Sequence, residues 1–393
     1  MTEGSLRSTE DGTFARKGTT ALKTRHLAAL ACFAVILAAA SCRTAPTKSP
    51  FLMESDQHIL PGLRTVELTC EVTISGTPEQ AKVLRAWVPF PVTGRYQRVM
   101  EPTMESPSSY RPVIHYDAQY NTPILYVEAD GPSLPQELKV RYSVRVERGR
   151  VERDELKAGP MEPEAVVRER YAADLAQGSG TNAEELGKIA ANIAPPDNST
   201  LARARKIYDY VVNTVELGDV AHSMPAAGDN ATTTAGAAPD NATIMRTSRH
   251  ALDVLTAHKG DAGDYATATV MLMRAAGIPA HVETGILLGE DKTPDPAAAN
   301  ENGAWVRFYV NGRGWSACDP YLAKRYPELK EAMFGGLSSN RVEMSAGPEP
   351  ALMPAPADGL PALFFAPMAE ADGKPVFISM KLSFRDVPGG KRP

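Results

Sequence analysis

Residues 258–285, "HKGDAGDYATATVMLMRAAGIPAHVETG", are the most informative segment of the chain. Its middle, from Asp264 to Ala276, is apolar enough for a buried helix, and Gly277 followed by Pro279 is typical of a helix end. The residues that follow, "AHVETGILL", have the length and composition of a buried strand. The stretch therefore predicts a helix that begins near Ala262 and leads into a strand of the core.

A β-hairpin is predicted after this strand, beyond a Pro- and Ala-rich loop at 293–302. Its apolar runs, "AWVRFYV" and "GWSACDP", flank Asn311-Gly312, and an Asn-Gly pair between apolar runs is the strongest short hairpin signal. A two-residue turn at this dipeptide places Ala304 opposite Asp319, within a residue or two. The start of the first strand and Asp319 are therefore predicted to be neighbours.

A helix start followed by two antiparallel strands is one way to build a cysteine nucleophile. A Cys on the first helical turn has its thiolate stabilised by the helix dipole and free N–H groups. A His on the first strand then acts as the base, and an Asp or Asn on the second strand orients it. In this chain Ala262 stands where the Cys is expected, and none of the seven histidines lies in the hairpin or beyond it.

The chain before this region divides into a β part and a helical part. Residues 64–148 contain short alternating runs such as "RTVELTCEVTI", which predict a small antiparallel β-sandwich. From about residue 161 the period becomes helical, and Ser199 or Thr200 can cap the longest helix. Residues 222–243 contain almost no large apolar residue, which predicts an insertion that does not pack.

The N-terminal region has the order of a secretory signal: basic, then apolar, then small residues, as in "LKTRHLAALACFAVILAAASC" at 22–42. Its end at Cys42 resembles a bacterial lipoprotein signal, in which the Cys is lipidated and becomes the new N-terminus. We expect an exported protein, lipid-anchored at Cys42 to a bacterial envelope membrane and facing the periplasm or the exterior. A simple cleaved signal or an N-terminal anchor is the alternative. Cys70 and Cys318 are predicted to be small buried hydrophobes.

These patterns predict an α+β fold in which an N-terminal antiparallel β-sandwich is followed by a helix packed on an antiparallel sheet. The predicted parts are a signal peptide at 1–42, a tether at 43–63, the sandwich domain at 64–150, the core at 161–345 with its insertion at 222–243, and a Pro-rich connection with a β-hairpin turning at Asp372-Gly373 at 346–393.

Three segments together resemble the transglutaminase-like family, whose core is papain-like. They are "ARARKIYDYVVNTVE" at 202–216, the stretch that ends in "GIPAHVETG", where the family motif has Arg in place of His281, and "GAWVRFYVNGRGWSACDP", which is similar to the family's His-x-Trp hairpin ending in Asp-Pro. The resemblance implies that the nucleophile position is Ala262, the base position is Gly303 and the orienting acid is Asp319.

Because two of the three catalytic groups are missing, the resemblance implies a protein that has the family's fold but lacks its catalytic activity. The leading hypothesis is a catalytically inactive pseudoenzyme that binds a peptide or protein in a cleft rimmed by Trp305, Asp264 and Asp319. The competing hypothesis is an active thiol-dependent transglutaminase or cysteine peptidase with relocated residues, for which His258 and His281 are candidate bases. Asp319 also has a simpler explanation as the turn residue before a proline.

The composition limits the partners. The net charge is −5, with 42 basic and 47 acidic residues, which gives no sign of nucleic-acid binding. The sequence shows no His, Cys and Asp cluster at ligand spacing, so no metal and no cofactor are expected. The expected partners are the membrane, through the lipid on Cys42, and a peptide or protein ligand in the degenerate cleft.

Overall fold

The computed structural model describes residues 63–107, 110, 112–152, 159–176, 183–196, 199–218, 251–289, 297–298, 301–347, 352–357 and 366–387. The signal peptide, the tether apart from Leu63, and the insertion at 222–243 lie outside these residues. Among the residues described, no helix is both long and apolar enough to cross a membrane.

In the described residues, six strands come before the first helix, and helices and strands are interspersed after it. The strands are β1 (Arg64–Ser75), β2 (Val83–Pro89), β3 (Gln97–Glu105), β4 (Val113–Tyr116), β5 (Pro123–Asp130), β6 (Glu137–Arg148), β7 (Glu216–Leu217), β8 (Lys259–Gly260), β9 (Ala280–Leu287), β10 (Ala297–Ala298), β11 (Glu301–Val310), β12 (Gly314–Cys318), β13 (Arg341–Ala346), β14 (Met368–Ala371), β15 (Lys374–Pro375) and β16 (Phe377–Asp386). The helices are α1 (Glu164–Arg170), α2 (Ala172–Leu175), α3 (Ala183–Ile193), α4 (Thr200–Thr214), α5 (Ala251–Ala257), α6 (Ala262–Ala275) and α7 (Pro320–Arg325).

The N-terminal strands form two five-stranded sheets, in the orders β10-β16-β1-β6-β3 and β15-β14-β2-β5-β4. Alternation along β1 builds the interior, because Leu68, Cys70 and Val72 are buried while the residues between them are half-buried or exposed. Leu84 and Leu125 of the second sheet belong to the same buried cluster. The predicted fold class, with antiparallel β-structure first and a helix-on-sheet core after it, is confirmed.

The C-terminal strands complete both of these sheets. The predicted turn is present, with φ of 47° at Asp372 and 75° at Gly373. After the turn, only β15 pairs with β14. The next strand, β16, pairs with β1 along its whole length. Residues 366–387, which the sequence sets apart as a separate C-terminal part, therefore contribute strands to the sandwich.

The central helix α6 is confirmed, and its ends follow from local chemistry. Asp261 caps the N-terminus by accepting a hydrogen bond from the N–H of Asp264. At the other end Gly277 takes a φ of 74°, and the N–H of Ile278 donates to the carbonyl of Met273, which closes the helix. The helix packs on a four-stranded sheet of order β12-β11-β9-β13.

The hairpin that the sequence predicts is present, but the turn is one residue longer than predicted. Val310 pairs with Gly314, and the N–H of Arg313 donates to the carbonyl of Val310, so the loop is 311–313. Gly312 and Gly314 both have positive φ, which three-residue hairpin loops can use. Trp305 therefore takes the place opposite Asp319 in the register, one position from Ala304 and within the predicted range of a residue or two.

The four-stranded sheet has two different faces. Its α6 side carries Ala304, Val306 and Phe308 in one buried cluster with the helix. Its other side carries Trp305, which clusters with Tyr96 and residues near the end of the sandwich. Because neighbouring residues of a strand point to opposite faces, the residues of the candidate site are divided between these two sides of the sheet.

Candidate functional site

The nucleophile position, Ala262, is the first residue of α6 and lies against the buried cluster on the helix side of the sheet. The helix start beside it is already satisfied by two carboxylates. Asp261 accepts from the N–H of Asp264 at 3.0 Å, and Asp264 accepts from the N–H of Asp261 at 3.1 Å. This capping box places negative charge at the end of the helix where a thiolate would otherwise be stabilised.

The base position, Gly303, belongs to the opposite face of the sheet. A Cβ atom built on Gly303 would lie 3.0 Å from the Leu287 side chain and 3.3 Å from the Trp305 ring. Ala304, the next residue, is the one that joins the cluster on the α6 side. A side chain at 303 would therefore point into the Trp305 face and away from the helix.

The indole of Trp305 fills the space in front of two paired glycines. Gly303 pairs with Gly285 across β9 and β11, and a Cβ on Gly285 would lie 2.9 Å from the Trp305 ring. Trp305 is fully buried, and its indole N–H donates to Glu283. The two glycines leave room for the ring, because a Cβ at either position would contact it.

Asp319 ends the second hairpin strand and caps α7. One carboxylate oxygen accepts from the N–H of Leu322 at 2.9 Å, and the other accepts from the guanidinium of Arg341 at 3.0 Å. The same guanidinium lies over the Trp305 ring, 4.6 Å from its centroid. Burial raises the pKa of Asp319, although Arg341 and the Leu322 N–H oppose the shift.

Gly303, Arg341 and Asp319 are therefore linked through contacts around the Trp305 ring, whereas Ala262 packs against the buried cluster on the α6 side of the sheet. Residues 187–320 match the transglutaminase-like superfamily. This match covers the helix before the core, α6 and the hairpin, which confirms the resemblance for this transglutaminase-like domain. No curated protein matches the chain.

One solved structure shows the same fold over a larger part of the chain. A "Putative Cysteine Protease" from Cytophaga hutchinsonii is 15% identical, covers 84% of this chain and 93% of its own, and superposes with a TM-score of 0.50. The periplasmic domain of TgpA from Pseudomonas aeruginosa is 15% identical and covers 67% of this chain and 90% of its own, with a TM-score of 0.31. At these identities the first likeness shows the fold of the transglutaminase-like domain and its surroundings.

The residues predicted to rim a cleft are all interior in this transglutaminase-like domain. Trp305 is 0% exposed, Asp319 is 2% exposed and Asp264 is 5% exposed. Each has an intramolecular partner: Glu283 for Trp305, Arg341 for Asp319 and the Asp261 N–H for Asp264. A binding role for them stays a prediction, and it requires the domain to open.

Sequence reasoning missed Arg341, Glu283 and Gly285, which shape the site. The sequence feature that could have identified Glu283 and Arg341 is a charged residue within a strand that also carries apolar residues, as in "AHVETGILL" and "RVEMSA". Such residues in buried strands are normally paired. Which partner each one takes depends on strand order, and β13 is next to β9 although more than fifty residues separate them.

The described cysteines are buried, His281 is paired with Asp174, and His258 lies four residues before Ala262 in the sequence. Cys70 and Cys318 are free and buried, as predicted, and burial raises the pKa of both thiols, to about 12 for Cys70. His281 follows the far end of α6, about 20 Å of helix from Ala262, and its Nδ1 lies 2.8 Å from Asp174. His258 precedes the helix and is exposed. Among the described residues, no group of three or more His, Cys, Asp and Glu could hold a metal.

Proposed function

We propose that this protein is a catalytically inactive transglutaminase-like lipoprotein, which acts as a peptide- or protein-binding module at the cell envelope. The observation that carries the proposal is the state of the three catalytic positions. Ala262 has no ionisable atom, Gly303 has no side chain, and Asp319 is bound to Arg341 and to the Leu322 N–H. Acyl transfer through a thiol needs a thiolate and a proton carrier, and these positions supply neither.

The packing around these positions supports the same proposal. A side chain at position 303 would meet the Leu287 side chain and the Trp305 ring, so a base has no open space there. The carboxylates of Asp261 and Asp264 complete the helix start beside Ala262. These contacts stabilise the fold and support a scaffold without thiol chemistry.

The alternative function, an active thiol enzyme with relocated residues, lacks a nucleophile among the described residues. A reactive cysteine needs a pKa lowered by a nearby positive charge or a helix start. The pKa of Cys318 is instead raised by burial and by the charge of Asp319, and that of Cys70 by burial in the sandwich. His281 is paired with Asp174 at the wrong end of α6 to serve Ala262.

We expect the wild-type full chain, purified in detergent, to show no turnover in two assays: incorporation of a fluorescent amine into a glutamine-containing peptide, and amide hydrolysis. Iodoacetamide should leave Cys70 and Cys318 unmodified in the native protein, because both thiols are buried with raised pKa values. Both should react after unfolding in denaturant, and this serves as the control. Turnover that iodoacetamide abolishes, and that Cys318→Ala also loses, would establish the active-enzyme alternative.

The envelope location has its own test. In cells fed a fatty-acid analogue, the wild type should carry the label and fractionate with membranes, and Cys42→Ser should lose the label. Cys32→Ser is the matched control, because Cys32 lies inside the apolar run of the signal and should not carry lipid. An unlabelled wild type, or equal labelling of the Cys42→Ser variant, would contradict the lipid anchor.

A further inference from the structure

A layer of buried charge lies on the side of the four-stranded sheet away from α6. Arg307 contacts Glu283 at 3.1 Å, and Arg341 contacts Asp319 at 3.0 Å. Arg148, from the end of β6, reaches in from the sandwich and contacts Glu343 at 3.1 Å. The layer therefore contains three ion pairs, of which the Arg148–Glu343 pair joins the sandwich to the transglutaminase-like core.

The three arginines carry more donors than these pairs use. Arg341 is 0% exposed, Arg148 is 2% exposed and Arg307 is 9% exposed. Four of their nitrogens have no hydrogen-bond partner among the described residues: Arg148 Nε, Arg307 Nη1, and Arg341 Nε and Nη2. Buried donors are almost always satisfied, so four unpartnered nitrogens on three neighbouring guanidinium groups indicate a shared acceptor.

Ring contacts bring Arg307 and Arg341 to one region: Arg341 lies 4.6 Å from the Trp305 ring centroid, Arg307 lies 5.1 Å from the Tyr96 ring centroid, and both rings belong to one buried cluster. In agreement with this, the charge of Arg148 lowers the pKa of Arg341. Arg148 and Arg307 both oppose the rise in the pKa of Glu343. The Gln97 side chain from β3 binds the Glu343 backbone: its oxygen accepts from the Glu343 N–H, and its nitrogen donates to the Glu343 carbonyl.

We propose that Arg148, Arg307 and Arg341 bind one small monovalent inorganic anion, chloride, between the four-stranded sheet and the sandwich. The charge of the layer fits a single negative ion. Three arginines face the three carboxyl groups of Glu283, Glu343 and Asp319. Burial and the charge of Glu283 raise the pKa of Glu343 to about 7, so one carboxyl readily takes a proton and leaves one positive charge uncompensated.

The first test measures thermal unfolding of the full chain in detergent at pH 6, in sodium chloride and in sodium gluconate at equal ionic strength. An ion that binds only the folded state raises the melting temperature with its concentration, and gluconate is too large for a fully buried site. Chloride should raise the melting temperature of the wild type and of the surface control Arg385→Gln, and it should have no such effect on Arg307→Gln. Equal melting temperatures of the wild type in the two salts would overturn the proposal.

A second measurement does not depend on the folding of a variant. Crystals of the wild-type full chain grown in sodium bromide, measured at the bromine absorption edge, should show an anomalous peak in contact with the guanidinium nitrogens of Arg148 and Arg341. A peak there supports the site even if Arg307→Gln fails to fold. Bromide found only on the surface, with water against the three arginines, would reject the site whatever the melting temperatures show.

Discussion

Arg341→Met is expected to lower the free energy of unfolding by about 3–5 kcal/mol, because it leaves a buried carboxylate without its counter-charge. Asp319 and Arg341 are both almost completely buried and lie 3.0 Å apart. Methionine keeps much of the length of the side chain and its contact with the Trp305 ring, so the loss should come from the charge and not from a cavity. Denaturant unfolding of both proteins measures the difference, and an unchanged m-value shows that the change is in stability alone.

The pH dependence of this variant has a defined sign. Burial already raises the pKa of Asp319 in the wild type, and Arg341 opposes that rise. Without Arg341 the folded-state pKa rises further, so the folded form is favoured where Asp319 is protonated and loses stability as pH rises through that pKa. The deficit of Arg341→Met should therefore be larger at pH 8 than at pH 5.

Two further variants show whether the pair is the cause. Arg385→Met removes an exposed ion pair with Glu67, and such pairs contribute about 0–1 kcal/mol. Adding Asp319→Asn to Arg341→Met should recover part of the loss at pH 8, because Asn can still accept from the Leu322 N–H. If Arg341→Met lowers the free energy of unfolding no more than Arg385→Met does, Arg341 does not stabilise the buried Asp319 carboxylate.

The elements of this fold could be predicted from the sequence because each has a local cause. The helix α6 is specified by a capping aspartate, an apolar run and Gly277, and all three act within a few residues. The hairpin was predictable for the same reason. Its register was not, because Gly314 as well as Gly312 adopts positive φ and extends the loop by one residue. A shift of one residue changes which side chain lies beside Asp319.

The interior of the candidate site could not be predicted, because its contacts join distant parts of the chain. Arg148 and Glu343 lie 195 residues apart in sequence and meet only through the packing of the sandwich on the core. The same holds for β16, which pairs with β1 across more than three hundred residues. Alternation shows that Glu343 lies in a strand, but it does not identify which arginine will neutralise it.

Restoring the missing base is expected to weaken the fold and to leave it inactive. Gly303→His should lower the free energy of unfolding by about 1–3 kcal/mol, since overpacking a filled interior forces neighbours out of place. The first atom of the new side chain already meets Leu287 at 3.0 Å and Trp305 at 3.3 Å. Gly94→His is the matched control, because a Cβ at Gly94 has no neighbour within 4 Å and its φ is not positive.

The same geometry decides the outcome when the nucleophile is restored as well. In Ala262→Cys with Gly303→His, the thiol belongs to the α6 side of the sheet and the imidazole to the Trp305 side, so we expect no direct hydrogen bond between them. The carboxylates of Asp261 and Asp264 also oppose a thiolate at the helix start. We therefore expect iodoacetamide to react with the introduced thiol equally fast in the double variant and in Ala262→Cys alone, and both variants to lack amide hydrolysis. A faster reaction in the double variant would mean that positions 262 and 303 share one face, and that the active site was lost by two substitutions and not by repacking.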